Sequence, residues 1–297
     1  MMIAKSDWFP SRWGADDQAG AMNEVTPEII TSAARLVRKG KIFVLSHILE
    51  SGIPQHWFHG EFQYSTYRRH SDTQKMFTKK NKFSAMNVKV NMADHSGTHI
   101  DSLNHTAIDG LLYNGISAAE VTGPLGTTKL GMETSPPIFT RGVLLDVARA
   151  KRKPSLEAGY VIKPSDIDLC IRRQRVTLRK GDAVLVRTGW SRHWMNDNNK
   201  YLGSCPGIGK EAASLLIRKR IAIFGADAWN PEVDPNEDPK EEDAVHQMML
   251  VKNGIRMIEN LYLEEPAREK SWTFLLVCLP LQVKGASGSP ITPIAVV

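Results

Sequence analysis

Cysteine is scarce in this chain: Cys170, Cys205 and Cys278 are the only three among 297 residues. An odd number of widely separated cysteines does not form a disulfide framework, and none of them has the paired spacing of a thiolate metal site. Cys170 and Cys278 lie in apolar runs. We therefore predict that these two are core residues without a redox or metal-binding role.

Long apolar runs are also missing. No stretch approaches the ~20 apolar residues of a membrane span, and residues 1–10 lack the basic-then-apolar pattern of a secretory leader. The chain is 42% hydrophobic and 24% charged, which is a globular composition and excludes disordered, collagen-like and coiled-coil proteins. We expect a soluble, cytoplasmic protein without a membrane partner.

The excess of positive charge is small, because 38 Lys and Arg residues oppose 32 Asp and Glu residues to give +6. Basic runs such as Lys151–Lys153 contain no aromatic residues, and acidic runs such as Glu241–Asp243 separate the positive charges along the sequence. A surface that stacks nucleic-acid bases needs both basic and aromatic side chains. No nucleic-acid partner is expected.

Hydrophobic periodicity predicts alternating strands and helices. The strand patterns cover residues 42–45, 86–92, 142–147, 183–186, 221–224, 255–263 and 272–279. The helix patterns cover residues 27–37, 167–173, 209–220 and 241–252. Residues 50–85 have no sustained period and are predicted to form a long loop. Because no repeat or long linker divides the chain, we predict one α/β domain over residues 1–297, with a β-sheet core flanked by helices.

Three of the nine histidines and one aspartate are concentrated in the eleven residues His95-Ser-Gly-Thr-His-Ile-Asp-Ser-Leu-Asn-His105. Imidazole and carboxylate are the ordinary ligands of Zn²⁺ and Mn²⁺. In an extended strand His95 and His99 would lie about 13 Å apart. In a helix Asp101 and His105 would point away from that pair. Neither form gathers all four side chains, so we predict a bend at Ser96-Gly97-Thr98 that the glycine permits.

A second pair of candidate residues lies downstream. His246 falls in the helix pattern 241–252, and Glu259 falls on the apolar face of the strand pattern 255–263. An ionised carboxylate is costly on such a face unless it is paired or metal-bound. A salt bridge to an arginine and a metal-ligand role both remain open for Glu259.

The segment Gly285-Ala-Ser-Gly-Ser-Pro290 is predicted to form a turn that brings backbone N–H groups or Ser289 towards the site. Five further histidines have no pattern of their own. A substrate-facing position is open for some of them, but each is expected to be solvated or structural; they are His47, His56, His59, His70 and His193.

The segment His95–His105 resembles the H-x-G-T-H-x-D-x-P-x-H signature of the cyclase family of metal-dependent hydrolases, which includes bacterial kynurenine formamidase and isatin hydrolase. Leu103 stands where the signature has proline. The resemblance continues through Arg141–Asp146, Gly181–Asp182, Val184–Trp190, Gly225–Asp227, His246, Ile258–Leu261 and Gly288–Pro290. It therefore covers nearly the whole chain, and it implies a mixed sheet of the swivelling β/β/α type.

Matched residue by residue, the resemblance implies five ligands for one or two Zn²⁺ or Mn²⁺ ions. These ligands are His95, His99, Asp101, His246 and Glu259. The position of His105 matches the acid/base histidine of the family, and Trp57 resembles a tryptophan that stacks on the substrate. The resemblance also implies a homodimer or homotetramer that acts on a small molecule.

These residues together predict a hydrolase that cleaves an amide or ester, such as a cyclic amide, a lactone or an N-formyl amide, with His105 as general base. A lyase or cyclising dehydratase that uses the same site is one alternative. A non-catalytic metal-binding or assembly protein is another, although a purely structural site would not need the uncoordinated base His105.

Overall fold

The predicted alternation of strands and helices is present in a computed structural model that describes residues 8–297. Its strands, in chain order, are β1 Ile42–Val44, β2 Gln63–Arg68, β3 Asn87–Asn91, β4 His99–Asp101, β5 Thr122–Gly123, β6 Gly126–Thr127, β7 Ile138–Asp146, β8 Val161–Ile162, β9 Ala183–Arg187, β10 Gly207–Ile208, β11 Ile223–Ala226, β12 Arg256–Glu259, β13 Thr273–Cys278, β14 Gly288–Pro290 and β15 Ile294–Val296.

The α-helices, in chain order, are α1 Pro27–Ala34, α2 His70–Met76, α3 Ala118–Val121, α4 Val147–Ala150, α5 Pro164–Gln174, α6 Asn198–Tyr201, α7 Lys210–Arg218, α8 Ala244–His246 and α9 Glu264–Arg268. A π-helical turn at Gln247–Lys252 continues α8. The first helix begins as the sequence predicts, since the Thr26 side chain accepts a hydrogen bond from the Ile29 N–H and Pro27 occupies the first turn. No helix within residues 8–297 has the length and apolar character that crossing a membrane requires.

One mixed sheet contains nine of the strands, in the order β1-β15-β13-β7-β9-β11-β12-β4-β14. The central strands β7, β9, β11 and β12 are parallel, and the strands on either side pair antiparallel. Residues alternate between two cores. Val184 and Val186 of β9 pack with Ile167 of α5 on one face, and Leu185 packs with Phe43 of β1 on the other. Burial on both faces explains the continuous apolar run of β9.

The long loop predicted over residues 50–85 contains regular structure. This segment contains β2 and α2, and β2 pairs with β3 in a two-stranded ribbon outside the main sheet. Every residue of the ribbon is exposed. Without burial on either face, β2 lacks the apolar alternation from which a strand is recognised in a sequence.

The predicted core role of Cys170 and Cys278 is confirmed, since both side chains are buried. The helix predicted over 241–252 begins later, at Ala244, and its second half is π-helical.

Candidate metal centre and cavity

The bend predicted before His99 is present. Gly97 has a φ of +63°, and a Cβ atom there would lie 2.3 Å from Leu49 Cδ2. Both the left-handed backbone and the close approach of Leu49 require glycine. The turn lets His95, which precedes it, reach the same point as the side chains of β4.

Strand register brings the next ligands together. In the antiparallel pair β4–β12, His99 lies directly opposite Glu259. His99 Nε2 is 3.3 Å from Glu259 Oε2 and 3.6 Å from Asp101 Oδ1. Cross-strand neighbours in a sheet point to the same face, so residues 160 positions apart converge without any local motif.

The other two predicted ligands approach from a turn and a helix. His95 Nδ1 lies 3.1 Å from Asp101 Oδ1. His246, at the end of α8, places Nε2 3.2 Å from Glu259 Oε1 and 3.8 Å from Asp101 Oδ2. All five candidate ligands therefore meet around Asp101, whose side chain is fully buried.

The far nitrogen of each histidine has its own partner. Gly97 O lies 2.9 Å from His99 Nδ1, and Ser287 Oγ lies 3.0 Å from His95 Nε2. Glu232 Oε1 lies 2.5 Å from His246 Nδ1. Such contacts fix the ring orientation and leave the opposite nitrogen free for a cation.

Glu232 and Ser287 were not identified from the sequence, nor was Asp94, which accepts hydrogen bonds from the Ser287 hydroxyl and from the backbone N–H groups of Ser287 and Gly288. Ser287 and Asp94 are 193 positions apart, so no local pattern links them. The proximity of Asp94 to the histidine-rich segment was the one available indication.

Four buried polar atoms around Asp101 have no hydrogen-bond partner: His95 Nδ1, His99 Nε2 and both carboxylate oxygens of Asp101. Buried polar atoms are nearly always satisfied, so each exception requires an explanation. The two nitrogens lie 3.1 and 3.6 Å from Asp101 Oδ1, and imidazole nitrogens beside carboxylate oxygens form a donor set suited to Zn²⁺ or Mn²⁺. The residues present therefore fit a divalent cation.

A cavity of about 620 Å³ opens above this cluster, and His95, His99, His105, His246 and Glu259 all line it. His105 is half-buried. One of its ring nitrogens belongs to a group of three ligand atoms, with His95 and Asp101, that lie within 4.8 Å of one another. His105 thus stands beside the candidate ligands at the wall of the cavity.

Comparison with known proteins agrees with this geometry. The cyclase family matches residues 43–233 of the chain. A solved structure described as a novel cyclase is 31% identical, covers 98% of this chain and 99% of its own, and has a TM-score of 0.88. The chain belongs to the cyclase family. The resemblance identified from His95–His105 is therefore confirmed, and so is the predicted α/β fold.

Two further proteins that are similar to this cyclase-family protein have named activities. Kynurenine formamidase from Bacillus anthracis is 29% identical over 205 residues, which cover 68% of this chain and 76% of that enzyme. Isatin hydrolase A from Ralstonia solanacearum is 19% identical with a TM-score of 0.66, and the match covers 91% of this chain and 97% of its own. At 19% identity, the similarity to isatin hydrolase A is a similarity of fold only.

The electrostatics of the cluster in the cyclase-family chain favour a bound cation. Burial by itself lowers the pKa of His99, but the Glu259 carboxylate, 3.3 Å from Nε2, and the charge of Asp101 raise it to about 9. Burial opposes ionisation of Asp101, yet the charges of His105, His95 and His99 hold its pKa below the ordinary range. The buried carboxylates of Asp101 and Glu259 are therefore stabilised by nearby positive charge, which a divalent ion would supply.

The environment of His105 differs from that of His99. Burial lowers the pKa of His105 to about 4, so its ring is neutral at pH 7 and can accept a proton. His59 is similar, because burial lowers its pKa to about 4 as well. Its ring stacks on that of His95 with centroids 4.7 Å apart. His59 was expected to be solvated or structural, but it lines the cavity.

The two predicted substrate contacts have different positions. Trp57 lines the cavity, is 83% exposed, and has its ring edge-to-face with that of Phe58 at a centroid distance of 5.8 Å. Ser289 is buried, accepts a hydrogen bond from the Leu281 N–H and donates one to the Pro290 carbonyl. The turn does approach the centre, as predicted, but through Ser287. Leu103, where the signature has proline, is a core residue outside the cavity wall.

Proposed function

We propose that this cyclase-family protein is a metal-dependent hydrolase that cleaves an amide or ester bond, such as a cyclic amide, a lactone or an N-formyl amide. The observation that carries the proposal is the set of unpartnered buried atoms of His95, His99 and Asp101 at the floor of a cavity that His105 also lines. A cation site beside a neutral base is the arrangement that hydrolysis by an activated water requires.

A divalent ion held by His95, His99 and Asp101 supplies a Lewis acid for the substrate carbonyl and lowers the pKa of water at the site. In our proposal His105 accepts a proton from the attacking water while the C–O bond forms. It then donates that proton to the leaving nitrogen or oxygen as the C–N or C–O bond breaks. Glu232 and Ser287 keep the histidine rings oriented through both steps.

We further propose that Zn²⁺ or Mn²⁺ is the ion and that the centre accommodates one or two. Two candidate groups share Asp101: one contains His95 and His105, and the other contains His99 and Glu259. Asp101 would help to hold the ion or ions, since neither of its carboxylate oxygens has a hydrogen-bond partner. The single domain over residues 1–297, the small-molecule substrate and the homo-oligomer also remain proposals.

Elemental analysis of the purified protein, followed by assays on lactones, cyclic imides and formamides, tests the hydrolase proposal. We expect about one or two equivalents of Zn or Mn, turnover of at least one substrate class, loss of turnover with a chelator and recovery when the metal is restored. A metal-loaded protein that cleaves no amide, ester or lactone would contradict the proposal and favour a metal-binding or assembly role.

Isotope incorporation separates hydrolysis from a lyase or cyclising dehydratase reaction in which His105 abstracts a carbon-bound proton. In ¹⁸O-water, hydrolysis places one solvent oxygen in the acid product. An acyl product without ¹⁸O would exclude hydrolysis.

Glu232→Gln should weaken metal binding about 10- to 100-fold. The Glu232 carboxylate accepts from the His246 ring and from the N–H groups of Val245 and His246. An amide that presents its NH₂ group to His246 Nδ1 would favour the tautomer with a proton on Nε2, which then cannot bind a cation. Isothermal titration with Zn²⁺ measures the affinity.

Glu241→Gln is the matched control, because it makes the same change to a carboxylate of the neighbouring segment that pairs with Lys210 and belongs to none of the candidate metal groups. Equal losses of affinity in the two variants would show that general negative charge, not orientation of His246, is responsible.

A further inference from the structure

The cavity has a charge opposite to that of the chain. Among the described residues, no lysine or arginine lines it, although the chain as a whole has a net charge of +6. Its acidic residues beyond the candidate ligand Glu259 are Asp234, Glu242 and Asp243, which we name the acidic rim. An anionic substrate would meet these carboxylates without any basic side chain to bind it.

The acidic rim lacks basic partners within residues 8–297. None of its three carboxylates forms an ion pair with a lysine or arginine there, whereas Glu241 in the same segment pairs with Lys210. Asp243 accepts only a 3.5 Å contact from Asn230 Nδ2. Burial, followed by the charge of Glu242, raises the pKa of Asp234. Glu242 is exposed, whereas Asp234 and Asp243 are half-buried, and a half-buried carboxylate without a basic partner is stabilised by a cation from outside the chain.

Aromatic rings lie on the same wall. The rings of His56 and Trp229 stack with centroids 5.0 Å apart, and both line the cavity together with the exposed Trp57. Aromatic faces beside carboxylates form a favourable environment for an ammonium group. At the inner end His99, which is 2% exposed, presents an Nε2 atom without a hydrogen-bond partner. The cavity therefore has a candidate metal ligand at its inner end and acidic and aromatic side chains on its wall.

We propose that the cavity selects substrates that carry an ammonium group at the end remote from the scissile carbonyl, and that it discriminates against substrates with a carboxylate there. The selection rests on the proposed hydrolase function and specifies its substrate class. The acidic rim adjoins the metal centre, since ligand atoms of Asp243, Glu232 and His246 lie within 4.8 Å of one another. A substrate with one ring between its carbonyl and its ammonium group suits this arrangement.

Three formanilides of similar shape test the selection: 4-formamidobenzylamine, 4-methylformanilide and 4-formamidobenzoate. For the metal-loaded protein we expect kcat/KM to be about tenfold higher for the amine than for the methyl compound, and lower still for the benzoate. Sodium chloride at 0.5 M should reduce the preference, because salt screens charges. An amine no better than the methyl compound, or a benzoate cleaved as well as the amine, would overturn the proposal.

Two double variants locate the effect. Asp234→Asn/Glu242→Gln removes two charges of the acidic rim, and the ratio of kcat/KM for the amine over the methyl compound should fall to about one. Asp238→Asn/Glu241→Gln removes two charges from the same segment outside the cavity lining, and should keep the ratio. An equal fall of this ratio in both double variants would show that the overall negative charge of the segment causes the preference. That result would overturn the assignment to the acidic rim. A change in mass by light scattering in the first variant alone would also overturn it, because the rim would then be an interface between copies.

Binding separates this inference from the hydrolase proposal. The dissociation constants of the three compounds are measured by calorimetry on metal-loaded His105→Gln protein. Binding of the amine about tenfold tighter than that of the benzoate supports the selection, whether or not the unmodified protein hydrolyses these compounds. A lack of hydrolysis would count against the formamide reaction only. Hydrolysis of all three with equal binding would support the hydrolase proposal and overturn the selection.

Discussion

Asp101→Asn should reduce bound metal to a small fraction of an equivalent and lower kcat/KM by about 10³-fold or more. Asp101 is the residue around which the other candidate ligands meet, and neither of its oxygens has a hydrogen-bond partner. The asparagine side chain keeps the shape but loses the negative charge and one oxygen. Metal content by mass spectrometry and steady-state kinetics on the best substrate of the panel measure both effects.

Asp166→Asn is the matched control for removal of a buried carboxylate. Asp166 is 5% exposed and accepts hydrogen bonds from Lys151 and Tyr160, on α5 and away from the cavity. We expect this variant to lose some stability and keep its metal. Full metal content and activity in Asp101→Asn would remove Asp101 from the centre.

The ligands on the segment 95–105 could be predicted from the sequence because the constraint is local. Two histidines and an aspartate at that spacing reach one point only if the chain bends, and Gly97 is the residue that permits it. Glu259 was recognised through the cost of placing a carboxylate on an apolar strand face. That argument left a salt bridge open, and the register opposite His99 gives the carboxylate its actual neighbour.

Strand alternation was less informative than it appeared for β12. Its four residues are all buried, including Arg256, which donates to the Gln18 and Ala19 carbonyls. A strand covered on both faces has no polar face, so burial of Glu259 did not follow from alternation alone.

The residues that orient the histidines could not be predicted. Glu232 reaches His246 of α8 from the segment after β11, and Ser287 reaches His95 from the residue before β14. Such contacts are determined by sheet topology and not by spacing in the chain. For the same reason Ser289 was chosen in place of Ser287. Ser287 precedes the residues that pair with β4 and contacts His95, whereas the Ser289 hydroxyl is occupied by the Leu281 N–H and the Pro290 carbonyl.

His105→Ala should lower kcat by about 10²- to 10⁴-fold while the metal content stays unchanged. Its ring is neutral, lines the cavity and belongs to a group of possible ligands with His95 and Asp101. The variant distinguishes a base from a metal ligand by whether it loses activity alone or bound metal as well. Removal of a base slows proton transfer and leaves the ion bound, whereas removal of a ligand releases the ion. Kinetics and elemental analysis on the same preparation measure both quantities.

Imidazole added to the His105→Ala protein should restore part of the activity, since the substitution leaves space at the cavity wall for a free base. His59→Ala is the control, because it removes another neutral histidine from the same cavity without removing the proposed base. It should raise KM more than it lowers kcat, and imidazole should not rescue it. Loss of metal in His105→Ala would make His105 a ligand. Equal loss of kcat in the two variants would indicate that a polar cavity wall, and not proton transfer at residue 105, limits the reaction.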